Sequence, residues 1–317
     1  MLTIDESPES LRPIGFLVKL FPQLDNVGVL ICYFYAPLAP VYQEQPLASA
    51  MAAKKEELLR ARHENAQAIL CKARQALTEV GFAAENIQEH MQERSVSQAQ
   101  HSCSLGGIKR VDGVLVQKTI SGKLEGLLRG ASFPVHLEHC LASPVWFLEG
   151  TKINSGRAVV CMHHEQASLR AARYAASMLA ASATHIDLLH CDPQLNWAVA
   201  CGVDRNVSEL RSWEETPNGQ LLTPYLQQAE HILMQEGIVA DRIRIVILPV
   251  RGDVASSILG HCRQDDVGIA VLGHSKPLGA WSFFENSVTK KILAEFRNMA
   301  IWVVQQGTRS THEDSCC

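Results

Sequence analysis

The sequence predicts an α/β protein built from two tandem, doubly wound, five-stranded parallel sheets related by a pseudo-twofold axis. Three observations predict it. Apolar strand-like runs alternate with helical patterns of ten or more residues, the pattern of βαβ units. The strand runs, such as Val267 to Leu272, are continuously apolar, as parallel strands buried on both faces are. The second half also repeats the first in order and spacing.

The repeat is read by sliding one half along the other. Leu77 meets Leu233, and Gly81, which ends one helical pattern, meets Gly237, which ends another. At the same shift Ala84 meets Ala240, Ile87 meets Ile243, Val111 meets Val267 and Trp146 meets Trp302. Nearer each start the shift grows slightly, so that Ser10-Leu11-Arg12 meets Ser168-Leu169-Arg170. Helix stops, strand runs and tryptophans keep step, which makes two copies of one fold the economical explanation. The expected units are residues 1–150 and 157–307, joined by the polar stretch Thr151 to Gly156 and followed by a tail, 308–317.

Composition is consistent with two cores. The chain has 317 residues, 47% of them hydrophobic and 20% charged, with a net charge of −4. There is no basic stripe for nucleic acid and no polybasic segment for an anionic membrane. MLTIDESPES is acidic and polar, unlike a signal peptide. The longest apolar run, Val27 to Pro40, is too short to span a bilayer. The 10 cysteines lack CxxC spacing, and several, including Cys32 and Cys161, fall in strand runs. The expectation is a cytoplasmic protein with reduced, mostly buried thiols. Cys316-Cys317 resemble a prenylated double-cysteine end, but a disordered acidic tail is the simpler reading.

Taken in order, Met1 to Ile4 is a strand with almost no lead-in, so the start as given is expected to be late or trimmed. Ser7-Pro8 begins a helix that runs toward Leu20. Val27 to Tyr35 is the second strand. Lys54 to Val80 has helical periodicity through Leu59, Ala66, Leu70, Ala73 and Leu77, and stops at Gly81. Ile87 to Met91 is the third strand. Ser95 to Leu105 reads as a short helix broken by Gly106-Gly107. Gly113 to Val116 is the fourth strand, and after Gly130 a helix starts at a Ser132 cap. Pro144 to Leu148 closes the half.

The second half begins with strand Ala158 to Met162 and helix Ala167 to Leu179. Strand Ile186 to Leu189 leads into a long polar loop holding Asn218-Gly219, then helix Leu222 to Gln235. Strand Ile243 to Pro249 and helix Val254 to Cys262, with Asp253 as cap, come next. Strand Val267 to Leu272 ends at Gly273, helix VTKKILAEF opens at Asn286-Ser287, and Ile301 to Val304 is last. Ligands of such sheets sit beyond the carboxyl ends of the strands, where strand order switches. That points to Asp5, Cys32–Tyr33 and Gln117–Ser132 in one half, and to His163, His190–Asp192 and Gly273–Ser287 in the other.

At these residues the chain resembles the universal stress protein family, of the tandem two-domain type. The family pattern is strand-Asp-small-Ser, then Gly-x2-Gly-x9-Gly-Ser/Thr before the last helix. Ile4-Asp5-Glu6-Ser7 matches the first part, with a larger Glu6. Gly273, Lys276, Asn286 and Ser287 match the second part in spacing, with Lys276 and Asn286 where glycines belong. The first half has Gln117, Ile120, Gly130 and Ala131 there, and the second half has His163 in place of the Asp.

The resemblance implies a Rossmann-like, adenine nucleotide alpha hydrolase-like fold. It implies that Asp5 or its counterpart holds adenosine, and that the glycine loop with the helix start at Ser287 and Val288, or Ser132, holds phosphate. ATP is the nucleotide it implies, and it also implies antiparallel pairing of the two fifth strands. Trp146 and Trp302 on those strands are then interface or core residues.

Because each half keeps only part of the pattern, the first reading is a non-enzymatic stress-response protein with degenerate nucleotide sites. It would act through a small ligand, a regulatory protein partner or a homodimer. The second reading is an ATP-binding module with slow hydrolysis at most. A hydrolase elbow at Gly273-His274-Ser275-Lys276-Pro277 lacks its last glycine. His163-His164 and His136-x-x-His139 have metal or switch readings, and ordinary hydrogen-bonded histidines are the simpler one. Asp265-Asp266 reads as a solvated turn. No metal is expected.

Overall fold

Both halves contribute to one 11-stranded sheet. The computed structural model describes residues 1–43, 49–118, 132–202, 207–274 and 287–305. The first half supplies β1 (Leu2–Ile4), β2 (Val29–Tyr35), β3 (Ile87–Glu93), β4 (Val114–Gln117) and β5 (Val145–Leu148). The second supplies β6 (Arg157–Cys161), β7 (His185–Asp192), β8 (Val199–Gly202), β9 (Ile243–Pro249), β10 (Ile269–Gly273) and β11 (Ala300–Val304). The order across the sheet is β3-β2-β1-β4-β5-β11-β10-β6-β7-β9-β8. Read outward from the centre, each half has the same arrangement, except that the second carries the extra strand β8.

The seam between the halves is the antiparallel pair β5–β11, with Trp146 opposite Trp302 and Val145 opposite Val303. The two indole rings stack with centroids 4.3 Å apart and an interplanar angle of 11°. Trp146 Nε1 donates to Tyr174 Oη at 2.7 Å, and Tyr174 donates onward to the Asp112 carbonyl. The Trp146 N–H is thereby served while its ring stays buried, as a buried Trp requires, whereas Trp302 Nε1 is buried with no hydrogen-bond partner among the described residues. The pairing also removes two exposed edges from the sheet.

Alternation along the strands sends side chains to two cores. Leu2, Ile4, Trp146, Leu148 and Trp302 face one layer of helices. That layer is α1 (Arg12–Leu20), α2 (Ser49–Glu79), α5 (Gln166–Leu179) and α7 (Pro217–Gln235). Cys32, Phe34, Val145, Phe147 and Ile301 face the other. Its helices are α3 (Gln98–Lys109), α4 (Ser132–His139), α8 (Val254–Gln264) and α9 (Val288–Glu295). In α2 the buried positions are Ala66, Leu70, Ala73 and Leu77, one stripe at helical spacing. The helix stops just before Gly81, whose φ of +110° suits glycine.

Several sequence expectations change. Gly106-Gly107 do not break a helix: α3 starts at a Ser97–Gln100 capping box and runs on to Lys109. A Cβ on Gly106 would come within 3.0 Å of Val114 Cγ2, so the glycine serves close helix–strand approach. The expected polar loop after β7 contains β8 and α6 (Ser208–Glu214). Residues Val199 to Gly202 alternate buried and exposed and pair antiparallel with β9, covering that edge. Asn218-Gly219 lie inside the first turn of α7, whose Thr216 cap accepts from the Gly219 N–H at 3.1 Å. The second half is therefore six-stranded rather than five-stranded.

The thiols also differ from expectation. Cys103 and Cys140 form a disulfide between α3 and the end of α4. The two helices pack side by side, which no spacing in the sequence reveals. Cys32, Cys71, Cys161, Cys191 and Cys262 are free, and Cys71 is exposed. Cys316-Cys317 lie outside the described residues. Among the described residues no helix is long and apolar enough to cross a membrane.

Because the Trp pair is fully buried at the seam, Trp302→Ala should lower the unfolding free energy by about 3–5 kcal/mol. Equilibrium denaturation would measure it, and Trp302→Phe should recover part of the loss.

Candidate functional site

The carboxyl ends of β6, β7 and β10 open into a cleft of about 760 Å³ at the switch in strand order. Helix α5 begins on one side of it, and Ser287, Val288 and Thr289 of the α9 start form another wall. His163, His164, His190 and His274 all line it.

Each wall is fixed by its backbone. The His163 N–H donates to Ser168 Oγ at 2.8 Å, and the His163 carbonyl accepts from the Glu165 N–H at 2.8 Å. These bonds shape the turn that leaves β6. The rings of His163 and His164 stack at 4.1 Å between centroids. Burial first, then the neighbouring His164, hold the His163 imidazole below its ordinary pKa. His190, half-buried on β7, has its Nδ1 3.0 Å from the Met162 carbonyl, so that nitrogen carries the proton. Burial pushes its pKa down as well.

Gly273 has a different role from the one its motif suggests. A Cβ there would lie 2.1 Å from the Ala167 carbonyl oxygen. The glycine is needed for β10 to pass the start of α5. Ser287 takes the cap position of α9, but its side chain makes no capping hydrogen bond, contrary to the expected capped start. Its backbone carbonyl accepts from the Lys291 N–H at 3.1 Å. Lys276, Asn286 and the Ser275 elbow lie outside the described residues.

Two carboxylates of this half are engaged in holding the fold. Asp192 accepts from Trp213 Nε1 at 2.7 Å, the Gln194 N–H at 2.8 Å and Asn218 Nδ2 at 3.0 Å. It thus ties α6 and α7 to the end of β7. Asp253 caps α8 as expected, accepting from the Ser256 N–H at 3.1 Å, and pairs with Lys291 of α9 at 2.6 Å. The lysine, then Ser256, hold the Asp253 carboxyl down to about 2.

Asp187, Asp265 and His261 form the metal-like cluster that the sequence did not reveal, their donor atoms within 4.8 Å of one another. Arg244 fills it: the guanidinium binds Asp187 at 2.9 and 2.7 Å and Asp265 at 2.7 Å. Arg157 adds a second contact to Asp265 at 3.3 Å. Asp265 is therefore an ion-pair partner rather than part of a solvated turn. Asp266 adopts φ +50° and accepts from Asn154.

The first half assembles less. Asp5 is exposed, and its Oδ1 accepts from the Ser7 N–H at 2.8 Å and Ser7 Oγ at 2.5 Å, a local turn. Glu6 accepts from Tyr33 Oη at 3.2 Å and Asn65 Nδ2 at 3.3 Å. Ser132 is the first residue of α4 rather than a residue before it. Gly130 lies outside the described residues. A cleft of about 360 Å³ in this half lies at the amino ends of the strands, by Gly28 and Gly113. The ring of His136 packs edge-on against Phe147, and His139 Nε2 meets Gln100 Nε2 at 3.1 Å.

One side chain crosses between halves without any sequence signal. Lys118, just past β4, donates to the Leu293 and Ala294 carbonyls at 3.2 and 3.1 Å. Its ammonium also sits 4.3 Å from the Phe296 ring centroid. It caps the carboxyl end of α9, while the amino end of that helix faces the cleft. Burial lowers its pKa to about 8.

Asp187→Asn should cost about 3 kcal/mol, because it leaves Arg244 without its buried partner. Burial pushes the Asp187 carboxyl up, and the hydrogen bonds from His261 and Arg244 outweigh it, so its pKa is depressed. Its stabilisation is present above the ordinary carboxylate pKa of about 3.9 and is lost as pH falls through the depressed value. Acid-unfolding curves should show the variant losing that part of the pH dependence.

No protein-family model matches the chain, and no curated protein matches it. Solved structures do. A universal stress protein from Archaeoglobus fulgidus aligns over 96% of this chain and 94% of its own, with TM-score 0.59 and 12% identity. A putative universal stress protein from Pseudomonas aeruginosa aligns over 96% and 91%, with TM-score 0.50 and 11% identity. A universal stress protein solved in complex with cAMP covers 46% of this chain and 90% of its own at TM-score 0.30 and 18% identity. That last likeness is too low for its ligand to bear on this cleft. At these identities it is the architecture that is shared over nearly the full length, and the fold of this chain is that of the universal stress proteins.

Proposed function

We propose that the protein is a non-enzymatic, cytoplasmic stress-response protein of the universal stress type, binding a small ligand in the cleft of its second half. The observation that carries this reading is the cleft itself. It lies at the strand-order switch, holds about 760 Å³, and has a helix start on one wall. The first half is the degenerate site, since Asp5 is taken up by Ser7. Its influence is exerted through a regulatory protein partner or a second copy of the chain.

A non-enzymatic role is favoured by the use of the carboxylates. Phosphoryl transfer needs a metal-binding carboxylate beside the phosphates. Asp192 and Asp253 are engaged in ion pairs or hydrogen bonds that hold the fold, and Glu165, which lines the cleft, stands at the start of α5 rather than at the α9 start where phosphate would bind. The second reading is an adenine nucleotide bound by the α9 start with slow hydrolysis at most. Its support is that Ser287, Val288 and Thr289 face the cleft, where backbone N–H groups suit an anion.

The test is mass spectrometry of small molecules released on denaturing the purified protein, with calorimetric titration of ATP and adenosine. A released or titratable ligand competing at the cleft supports the reading, and a folded protein that releases and binds nothing there overturns it. Ser287→Ala should leave the melting temperature unchanged, since no side-chain cap bond is lost. If ATP binds at α9, the same variant should weaken it measurably by calorimetry. Unchanged affinity would remove Ser287 from the site.

A further inference from the structure

The cleft walls carry a donor set that neither reading uses. His163 and His164 leave the end of β6, and His190 stands on the adjacent parallel strand β7. The Nδ1–H of His190 is committed to the Met162 carbonyl at 3.0 Å, on the peptide leading into His163. That bond fixes the tautomer and leaves Nε2 as a lone pair, with the ring lining the cleft. Metal-binding histidines are oriented in this way, one nitrogen held by a carbonyl and the other presented to the ion. Glu165 adds an oxygen, its Oε1 lying 3.9 Å from His163 Nδ1.

We propose that His163, His164 and His190, with Glu165, bind a divalent transition-metal ion of the zinc type at the mouth of this cleft. Three imidazoles and a carboxylate suit that ion class, and not magnesium or calcium, which prefer oxygen ligands. The donor atoms of these side chains are not gathered within 4.8 Å as those of Asp187, His261 and Asp265 are, and the His163 and His164 rings stack on each other, so closing on one ion requires those two side chains to turn. Both are exposed, His163 to 55%, and are free to do so. The thiols of Cys161 and Cys191 also line the cleft.

The inference rests on the reading that the second-half cleft is the working site, and its test is separate from that reading. The full-length protein is titrated with ZnCl₂ by calorimetry and with Co²⁺ by visible absorption. One ion per chain is expected, with Co²⁺ giving the bands of a four-coordinate nitrogen–oxygen site. The double variant His163→Ala/His164→Ala changes only exposed side chains and should keep the fold by circular dichroism. His190→Gln keeps a donor for the Met162 carbonyl but removes the imidazole lone pair. Each should weaken Zn²⁺ by about tenfold or more. No Zn²⁺ binding by the unaltered protein, or equal affinity in both variants, overturns the proposal. Zn²⁺ binding without nucleotide or adenosine binding keeps the metal site and removes the nucleotide reading; the reverse result does the opposite.

Discussion

The antiparallel pairing of β5 with β11 is the constraint on which the rest of the structure depends. It joins two sheets that would otherwise each end in an exposed apolar edge. Trp146 and Trp302 lie directly opposite each other, so their rings stack across the strand boundary on one face. On the other face Phe133 packs edge-on against Phe147, and Lys118 reaches the end of α9. Both faces of the seam are thus closed by large side chains from both halves. With the seam fixed, the strand-order switch of the second half has a defined position, and with it the cleft.

The two halves have diverged in what they do with that position. In the first, the carboxylate after β1 closes a local turn with Ser7. In the second, histidines replace the acid, and an insertion after β7 supplies β8 and α6. Asp192 holds the insertion in place by satisfying Trp213, Gln194 and Asn218 together. The same insertion covers the free edge of β9, while β3, at the far end of the sheet, is mainly polar and pairs with β2 alone among the described residues. Asymmetry between the halves is therefore concentrated at one edge and one cleft, and the seam keeps its symmetry.

Much of the architecture was legible in the sequence. Continuous apolar runs such as Val267 to Leu272 read as parallel strands covered on both faces, and Gly81 and Gly237 mark matching helix ends. The elements that were missed share a cause. β8 is four residues long, and α6 is short and polar, so neither has enough periodicity to stand out from loop sequence. Gly106-Gly107 read as breakers because the need for close approach to Val114 lies in a distant strand. The site was only partly legible. His163, Gly273, Ser287 and Val288 were found from their place in a motif and do line one cleft. Two of their roles differ from the motif: Gly273 serves helix–strand contact, and Ser287 makes no cap bond.

What the sequence determined by itself was the succession of βαβ units, their repetition and the strand ends at which the cleft opens. Those follow from periodicity and spacing, which are local and survive low identity. Only the tertiary structure decided which groups have partners. Arg244 fills an apparent metal site, Asp5 closes on its own turn, and His190 meets the carbonyl of Met162 from the neighbouring strand. The reason is physical: a charge or a lone pair is defined by what lies within a few ångströms, and in a parallel sheet those neighbours come from segments far apart in the chain.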